Sequence, residues 1–148
     1  MIVDASVLLH AFLPDEIQPN ALAVVRDHVL GRQQLKAPAL LPYELSNAVW
    51  QAERRGRITR SQADRIMLSF SRLEIEIISQ SWGEMLPLAR QLGRSAYDAA
   101  YLALAQATGQ PLITADERLY QAVHAHLDWV LWIADYHTVD TPKSPLRP

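Results

Sequence analysis

Four acidic residues lie next to or within apolar segments, where carboxylates are unusual. They are Asp4 at the end of MIVD, Glu44 in PYELSNAV, Asp98 in SAYDAAYLALA and Asp116 just past PLIT. Two ionised carboxylates about 4 Å apart repel by roughly 4 kcal/mol at an effective dielectric near 20. A divalent cation removes this cost, and an all-oxygen ligand set favours Mg²⁺ or Mn²⁺ over Zn²⁺. If the four acids converge, they predict a metal site suited to chemistry on phosphate.

Each acid also has an ordinary structural role open to it. Asp4 and Asp116 are placed to cap the helices that follow them. Asp98 is placed three residues after Ser95 to complete a capping box, and Glu44 is favoured by the positive end of its helix. A cap does not exclude ligation, because a helix N-terminus keeps a carboxylate ionised. We predict that Asp98 both caps its helix and contributes to a metal site.

Short apolar runs alternate with helical patterns along the chain. The runs predict strands within 1–4, 35–41, 74–79, 110–114 and 129–133. The patterns between them predict helices within 5–13, 19–31, 42–57, 61–73, 81–93, 97–109 and 116–126, with a possible kink at Pro87. This alternation predicts an α/β fold: one domain over 1–138 with a mostly parallel central sheet, helices on both faces, and a Pro-rich tail over 139–148. Ligands of such sheets bind beyond the carboxyl ends of the strands, where Asp4 and Asp116 are expected.

Composition limits the class of protein. Hydrophobic residues make up 49% of the 148 residues and charged residues 20%, which is typical of a globular domain. The absence of cysteine excludes a disulfide framework, a cysteine-ligated zinc and a cysteine nucleophile. No apolar run is long enough to cross a bilayer, and the start MIVDAS lacks the basic residues of a signal peptide, so we expect a cytoplasmic protein without a membrane partner.

Basic and aromatic residues leave alternatives open. The net charge of −2 does not mark a nucleic-acid binder, but Lys36 and Lys143 are the only lysines among the 14 basic residues. Arginine pairs bidentately with phosphate. The arginines at one helix end could contact RNA beside the acidic site, or they could form a solvated helix terminus; they are Arg54, Arg55 and Arg57.

Tryptophans and histidines are better explained by structure than by function. For each of the four tryptophans, core packing is favoured over stacking on a base or on a partner; they are Trp50, Trp82, Trp129 and Trp132. His124 and His126 lie near Asp128 and could suggest a metal site, but a surface helix explains the pair better.

The four acidic segments, in this order and over nearly the whole chain, resemble the PIN-domain ribonucleases, and most of all the VapC toxins of bacterial toxin–antitoxin pairs. They are IVDASVLL, PYELSNAV, SAYDAAYLALA and LITADERL. The resemblance implies that all four acids act in catalysis and metal binding, with Ser6, Asn47 and Thr114 as polar neighbours. It also implies Mg²⁺- or Mn²⁺-dependent cleavage of RNA, a cognate antitoxin and a homodimer. Some relatives carry a further acid after the fourth aspartate; here only Glu117 is adjacent, which leaves a second metal position open.

Two alternatives to a ribonuclease remain. A phosphatase of the haloacid-dehalogenase type needs a second aspartate where Ser6 stands, and a lysine near the site, for which Lys36 and Lys143 are poorly placed. The other alternative is a PIN fold that binds RNA or an antitoxin without cleaving.

Overall fold

The computed structural model describes residues 1–138, so the predicted tail over 139–148 lies outside the described residues. The described chain forms one parallel sheet with strands in the order β3-β2-β1-β4-β5. The strands are β1 (Ile2–Val3), β2 (Lys36–Pro38), β3 (Glu76–Ile78), β4 (Leu112–Thr114) and β5 (Val130–Trp132). The predicted α/β class and parallel sheet are confirmed.

Strand order places the first strand at the centre of the sheet. Ile2 of β1 is in register with Lys36 on one side and with Leu112 on the other. The chain builds outward from β1 to β3 and then returns to add β4 and β5 on the opposite side. The order therefore reverses between β1 and β4, and such a reversal is where open α/β sheets bind their ligands.

Helices cover both faces of this sheet, as predicted. They are α1 (Ala5–Phe12), α2 (Pro19–Val29), α3 (Leu41–Arg54), α4 (Arg60–Arg72), α5 (Trp82–Leu92), α6 (Ala96–Thr108) and α7 (Glu117–Val123), and a 3-10 turn follows β5 (Ile133–Asp135). Val3 and Ile113 pack into one hydrophobic cluster with α1 to α4. Ile2 and Leu112 pack into a second cluster with α6 and α7. Adjacent strand residues point to opposite faces, so each strand contributes to both clusters.

Several element boundaries differ from those predicted. Leu41 begins α3 rather than ending β2, because Pro42 is favoured in the first turn of a helix. Pro87 does not break α5, which continues to Leu92. The last helix, α7, ends at Val123, so His124 and His126 lie in the turn beyond it. Within residues 1–138, no helix combines the length and the apolar character needed to span a bilayer.

Candidate active site

The acidic residues lie around the point where the strand order reverses. Asp4 follows β1 directly, and Asp116 follows β4 after one intervening residue. Glu44 lies in the first turn of α3, and Asp98 in the first turn of α6. The electrostatic influence of Asp98 reaches both Asp4 and Glu44, so the four segments bring their carboxylates to one region.

Asp4 is buried, with 8% of its surface exposed, and it faces hydroxyl groups. Ser6 Oγ and Thr114 Oγ1 donate hydrogen bonds to its Oδ2 atom at 2.5 and 2.6 Å. Its backbone occupies the N-cap position of α1, but its side chain makes no capping hydrogen bond. The predicted cap is therefore wrong for Asp4, because the carboxylate turns towards β4 instead of towards its own helix.

The two hydroxyls also fix the segment that carries Asp116. Ser6 Oγ accepts the backbone N–H of Ala115 at 2.9 Å, and Thr114 Oγ1 accepts that of Asp116 at 3.0 Å. A hydroxyl has one proton, and these accepted bonds leave that proton for Asp4. Ser6 and Thr114 thereby join the end of β1 to the loop after β4.

Asp116 caps α7, as predicted. Its Oδ1 atom accepts the backbone N–H groups of Arg118 at 2.9 Å and Leu119 at 3.1 Å. The helix N-terminus that these groups form stabilises the ionised carboxylate. One oxygen of Asp116 is thus used structurally.

Asp98 is held by a cation that the sequence analysis missed. Arg94 donates from Nε to Asp98 Oδ2 at 3.1 Å, and its terminal nitrogen lies 3.1 Å from the same oxygen. Ser95 caps α6 by accepting the backbone N–H of Asp98, but the Asp98 side chain returns no bond, so the predicted capping role is wrong. The spacing of four residues between Arg94 and Asp98 was the available signal.

Glu44 is held by a buried tyrosine, which the sequence analysis also missed. The hydroxyl of Tyr101 donates to Glu44 Oε2 at 2.5 Å, and only 1% of Tyr101 is exposed. An aromatic residue with a polar tip inside an alanine-rich helix was the only hint, since a buried tyrosine hydroxyl needs a partner.

Burial and neighbouring negative charges raise the pKa of two of the acids. Burial raises the pKa of Asp4, and the negative charges of Asp116 and Asp98 raise it further, against the opposing effect of the two hydroxyls. Burial likewise raises the pKa of Glu44, as do Asp4 and Asp98, while the Tyr101 hydrogen bond lowers it. A cation placed among these groups would reverse both shifts.

The donor set fits a hard divalent cation. The hydrogen bonds above engage one oxygen of each carboxylate: Asp4 Oδ2, Glu44 Oε2, Asp98 Oδ2 and Asp116 Oδ1. Among residues 1–138, the second oxygen of each acid receives none of these hydrogen bonds and could bind a ligand. Within residues 1–138, no three acidic or histidine side chains are already close enough to hold one ion. Mg²⁺ needs only one or two direct carboxylates, because it retains several of its water molecules.

The remaining predicted site residues are placed differently. Asn47 is exposed and lines a groove with Glu44.

The predicted RNA-binding arginines lie further away. Arg54 lies ten residues beyond Glu44, which at 1.5 Å per residue is about 15 Å along α3. Its guanidinium lies 5.0 Å from the ring centre of Trp50. Arg57 pairs with Asp15 at 2.7 Å and with Glu16, while Arg55 is exposed. The arginine segment therefore does not lie beside the acids.

Two of the four tryptophans are more exposed than predicted, and the two histidines are exposed as predicted but lie in the turn after α7 instead of on a helix. Trp50 is 51% exposed and Trp82 is 88% exposed, so core packing is wrong for both. Trp129 and Trp132 are half-buried against the two hydrophobic clusters. His124 and His126 are exposed, and they form no metal-binding group with any described residue.

Comparison with known proteins decides the family. The sequence model of the PIN domain matches residues 1–125. The chain belongs to the PIN domain family. This confirms the predicted resemblance. The phosphatase alternative gains no support, because Lys36 of this PIN domain lies at the start of β2, away from the acids, and pairs with Glu76 at 3.1 Å.

Individual relatives resemble this PIN domain over most of their length. Ribonuclease VapC3 of Pyrobaculum aerophilum is 30% identical over 123 residues, covering 80% of this chain and 91% of that protein. Ribonuclease VapC9 of Mycobacterium tuberculosis is 30% identical over 125 residues, covering 80% and 87%. The crystal structure of PAE2754 from Pyrobaculum aerophilum has a TM-score of 0.69 at 27% identity, covering 90% of this chain and 83% of that one.

Proposed function

We propose that this PIN domain is a metal-dependent ribonuclease and the toxin of a toxin–antitoxin pair. The observation that carries the proposal is the buried Asp4, which lies where the strand order reverses, surrounded by other carboxylates and hydroxyl donors. Relatives named as VapC ribonucleases support the same activity.

The four acids would hold Mg²⁺ or Mn²⁺ through their free oxygens. The ion, when bound, would lower the pKa of a water molecule and offset negative charge on the phosphate. The four acids are Asp4, Glu44, Asp98 and Asp116.

Supporting residues orient the acids for this task. Ser6 and Thr114 fix Asp4 by directing both of their protons to one of its oxygens. Tyr101 fixes Glu44 by donating its hydroxyl proton to Oε2. Arg94 offsets the charge of Asp98.

The same proposal names the partners. The substrate is RNA, and a cognate antitoxin would inhibit the enzyme, as the resemblance to VapC toxins implies. A homodimer and a cytoplasmic location belong to the proposal on the same ground. Arg54, Arg55 and Arg57 could then bind RNA only at a distance from the cleaved bond, with Arg57 first released from Asp15 and Glu16.

The direct test is RNA cleavage by the purified chain, free of antitoxin. A mixed RNA pool is incubated with Mg²⁺, with Mn²⁺ and with EDTA, and Asp4→Asn is assayed in parallel. We expect cleavage by the wild type with either metal and none with EDTA. Equal cleavage with and without EDTA would contradict the metal mechanism. Hydrolysis of a chromogenic phosphate monoester without RNA cleavage would favour a phosphatase, and RNA binding without cleavage would favour the non-cleaving alternative.

A further inference from the structure

Exposed aromatic side chains border the acidic site. Tyr43 is 75% exposed, Tyr97 is 63% exposed and Trp82 is 88% exposed. Large aromatic side chains usually bury much of their surface, and the packing of the described residues leaves these three uncovered. All three lie at the end of the sheet where α3, α5 and α6 begin.

Two of the aromatic residues are adjacent to acidic residues in the sequence. Tyr43 directly precedes Glu44, and Tyr97 directly precedes Asp98. Both tyrosines line one groove of about 310 Å³ with Glu44 and Asn47. Both also line a second groove of about 610 Å³, which continues from Leu40 to Trp82. The two grooves share Leu40 and both tyrosines, so the aromatic side chains line adjoining depressions that reach Glu44.

Positive charge beside the acids is limited, with Arg118 exposed next to Asp116 in the first turn of α7. The acids repel a phosphate backbone, and the nearby Arg94 is paired with Asp98. Arg57 is paired with Asp15 and Glu16. Arg54 lies about 15 Å along α3 from Glu44. Stacking of bases on aromatic rings adds uncharged contacts there whatever the base.

We propose that Tyr43, Tyr97 and Trp82 form a base-stacking site that binds the unpaired nucleotides next to the cleaved bond. The inference rests on the proposed ribonuclease function and adds a binding site to it. Bases can stack on protein rings only when they are free of a duplex, so this surface selects single-stranded segments. Asn47, in the same groove, presents an amide that can hydrogen-bond to a base edge.

The test measures binding separately from cleavage. A fluorescein-labelled 12-nucleotide single-stranded RNA is titrated with the full chain in EDTA, and fluorescence anisotropy is recorded. The variants are Tyr43→Leu, Tyr97→Leu and Trp82→Leu, singly and combined. Trp50→Leu is the matched control, because Trp50 is an exposed ring on the same helix as Tyr43 but near its other end. A phosphoribose oligomer of the same length without bases is the second ligand.

We expect each of the three substitutions to weaken RNA binding about fivefold or more, and the triple variant on the order of 100-fold. Trp50→Leu should bind as the wild type does. The slope of log K against log salt should stay unchanged, because no phosphate contact is removed. The oligomer without bases should bind equally to all variants.

Other results would overturn the inference. Unchanged binding by the triple variant would do so, and so would equal losses with the oligomer that lacks bases. No measurable binding of RNA by the wild type in EDTA would also count against it. A dimer that dissociates in the triple variant during analytical ultracentrifugation, while RNA binding is unchanged, would show that this surface contacts a second copy. A chain that binds RNA as expected but cleaves none would refute the ribonuclease and leave the stacking site standing.

Discussion

Within residues 1–138, two aspartates are buried, and the charges around them have opposite signs. Asp27 in α2 is 0% exposed, accepts a hydrogen bond from the Tyr136 hydroxyl at 3.0 Å, and lies 3.4 Å from the Arg32 guanidinium. Asp4 is 8% exposed and contacts the neutral hydroxyls of Ser6 and Thr114, with further carboxylates nearby.

The comparison shows that burial alone does not mark a functional acid. Asp27 has its own cation, and its backbone carbonyl accepts the N–H groups of Arg32 and Gln33, so it closes the turn after α2. The neighbours of Asp4 add negative charge instead of removing it. A carboxylate buried at such a cost is explained when a cation from outside the chain completes its surroundings.

The largest expected difference between these aspartates is in catalysis. Asp4→Asn keeps the shape of the side chain but removes a proposed metal ligand, so RNA cleavage should fall roughly 1,000-fold, or about 4 kcal/mol in activation free energy. Asp27→Asn should retain most of the wild-type rate per folded molecule. Cleavage of one RNA by both variants, well below their melting temperatures, measures this. Comparable losses of RNA cleavage in the two variants would show that the two aspartates do not differ in catalysis.

A smaller effect of opposite direction is expected in stability. Asp27→Asn removes the charge that faces Arg32 and weakens the Tyr136 hydrogen bond, and should lower the free energy of unfolding by about 2 kcal/mol. Asp4→Asn should leave the metal-free protein as stable as the wild type or more stable, because it relieves repulsion. Urea unfolding in EDTA at neutral pH gives both values. If Asp4→Asn proves the less stable of the two, Asp4 has a structural role like that of Asp27.

The smallest effect concerns pH. The pKa of Asp4 is raised in the folded state, so between its ordinary value of 3.8 and the raised value the folded chain binds more protons than the unfolded chain. The free energy of unfolding of the metal-free protein should therefore fall as pH rises through this window, and the loss is complete above the raised pKa. Glu44 contributes in the same direction. Asp15, whose pKa is lowered by Arg57, contributes in the opposite direction.

Comparison with Asp4→Asn removes the titration of Asp4 and also the part of the Glu44 shift that the charge of Asp4 causes, whereas Asp15 titrates in both proteins. Urea unfolding in EDTA at several pH values should give a flatter profile for the variant. Mg²⁺ at 100 times its dissociation constant should add roughly 2.7 kcal/mol to the wild type and less to the variant. If the pH profiles of the two proteins are parallel and Mg²⁺ stabilises both equally, Asp4 is not a metal ligand.

Local sequence signals predicted the sheet and the capping of α7. A short apolar run followed by an acid is a local pattern, and it placed Asp4 and Asp116 at the ends of β1 and β4. The Asp116 cap was predictable for the same reason, since its partners, Arg118 and Leu119, are near in sequence.

Contacts between distant segments were not predictable in this way. Asp4 bonds to Thr114, 110 residues away, in preference to its own helix. Tyr101 bonds to Glu44, 57 residues away, and the local sequence around Tyr101 predicts only an apolar helix. Trp82 was expected in the core. It lies at the start of α5 and is exposed, whereas the buried residue of α5 is Ala89.

The hydrogen bond between Thr114 and Asp4 also bears on how the protein is made. β1 is synthesised before either of its neighbours, and the hydroxyl of Thr114 follows Asp4 by 110 residues. A nascent chain that has not yet released β4 from the ribosome can form β1 to β3, but it lacks both Thr114 and Asp116. The central strand then has one open edge, and the acids are incomplete. Such non-local pairing closes late in folding, so most of the chain is translated before the proposed site can be complete.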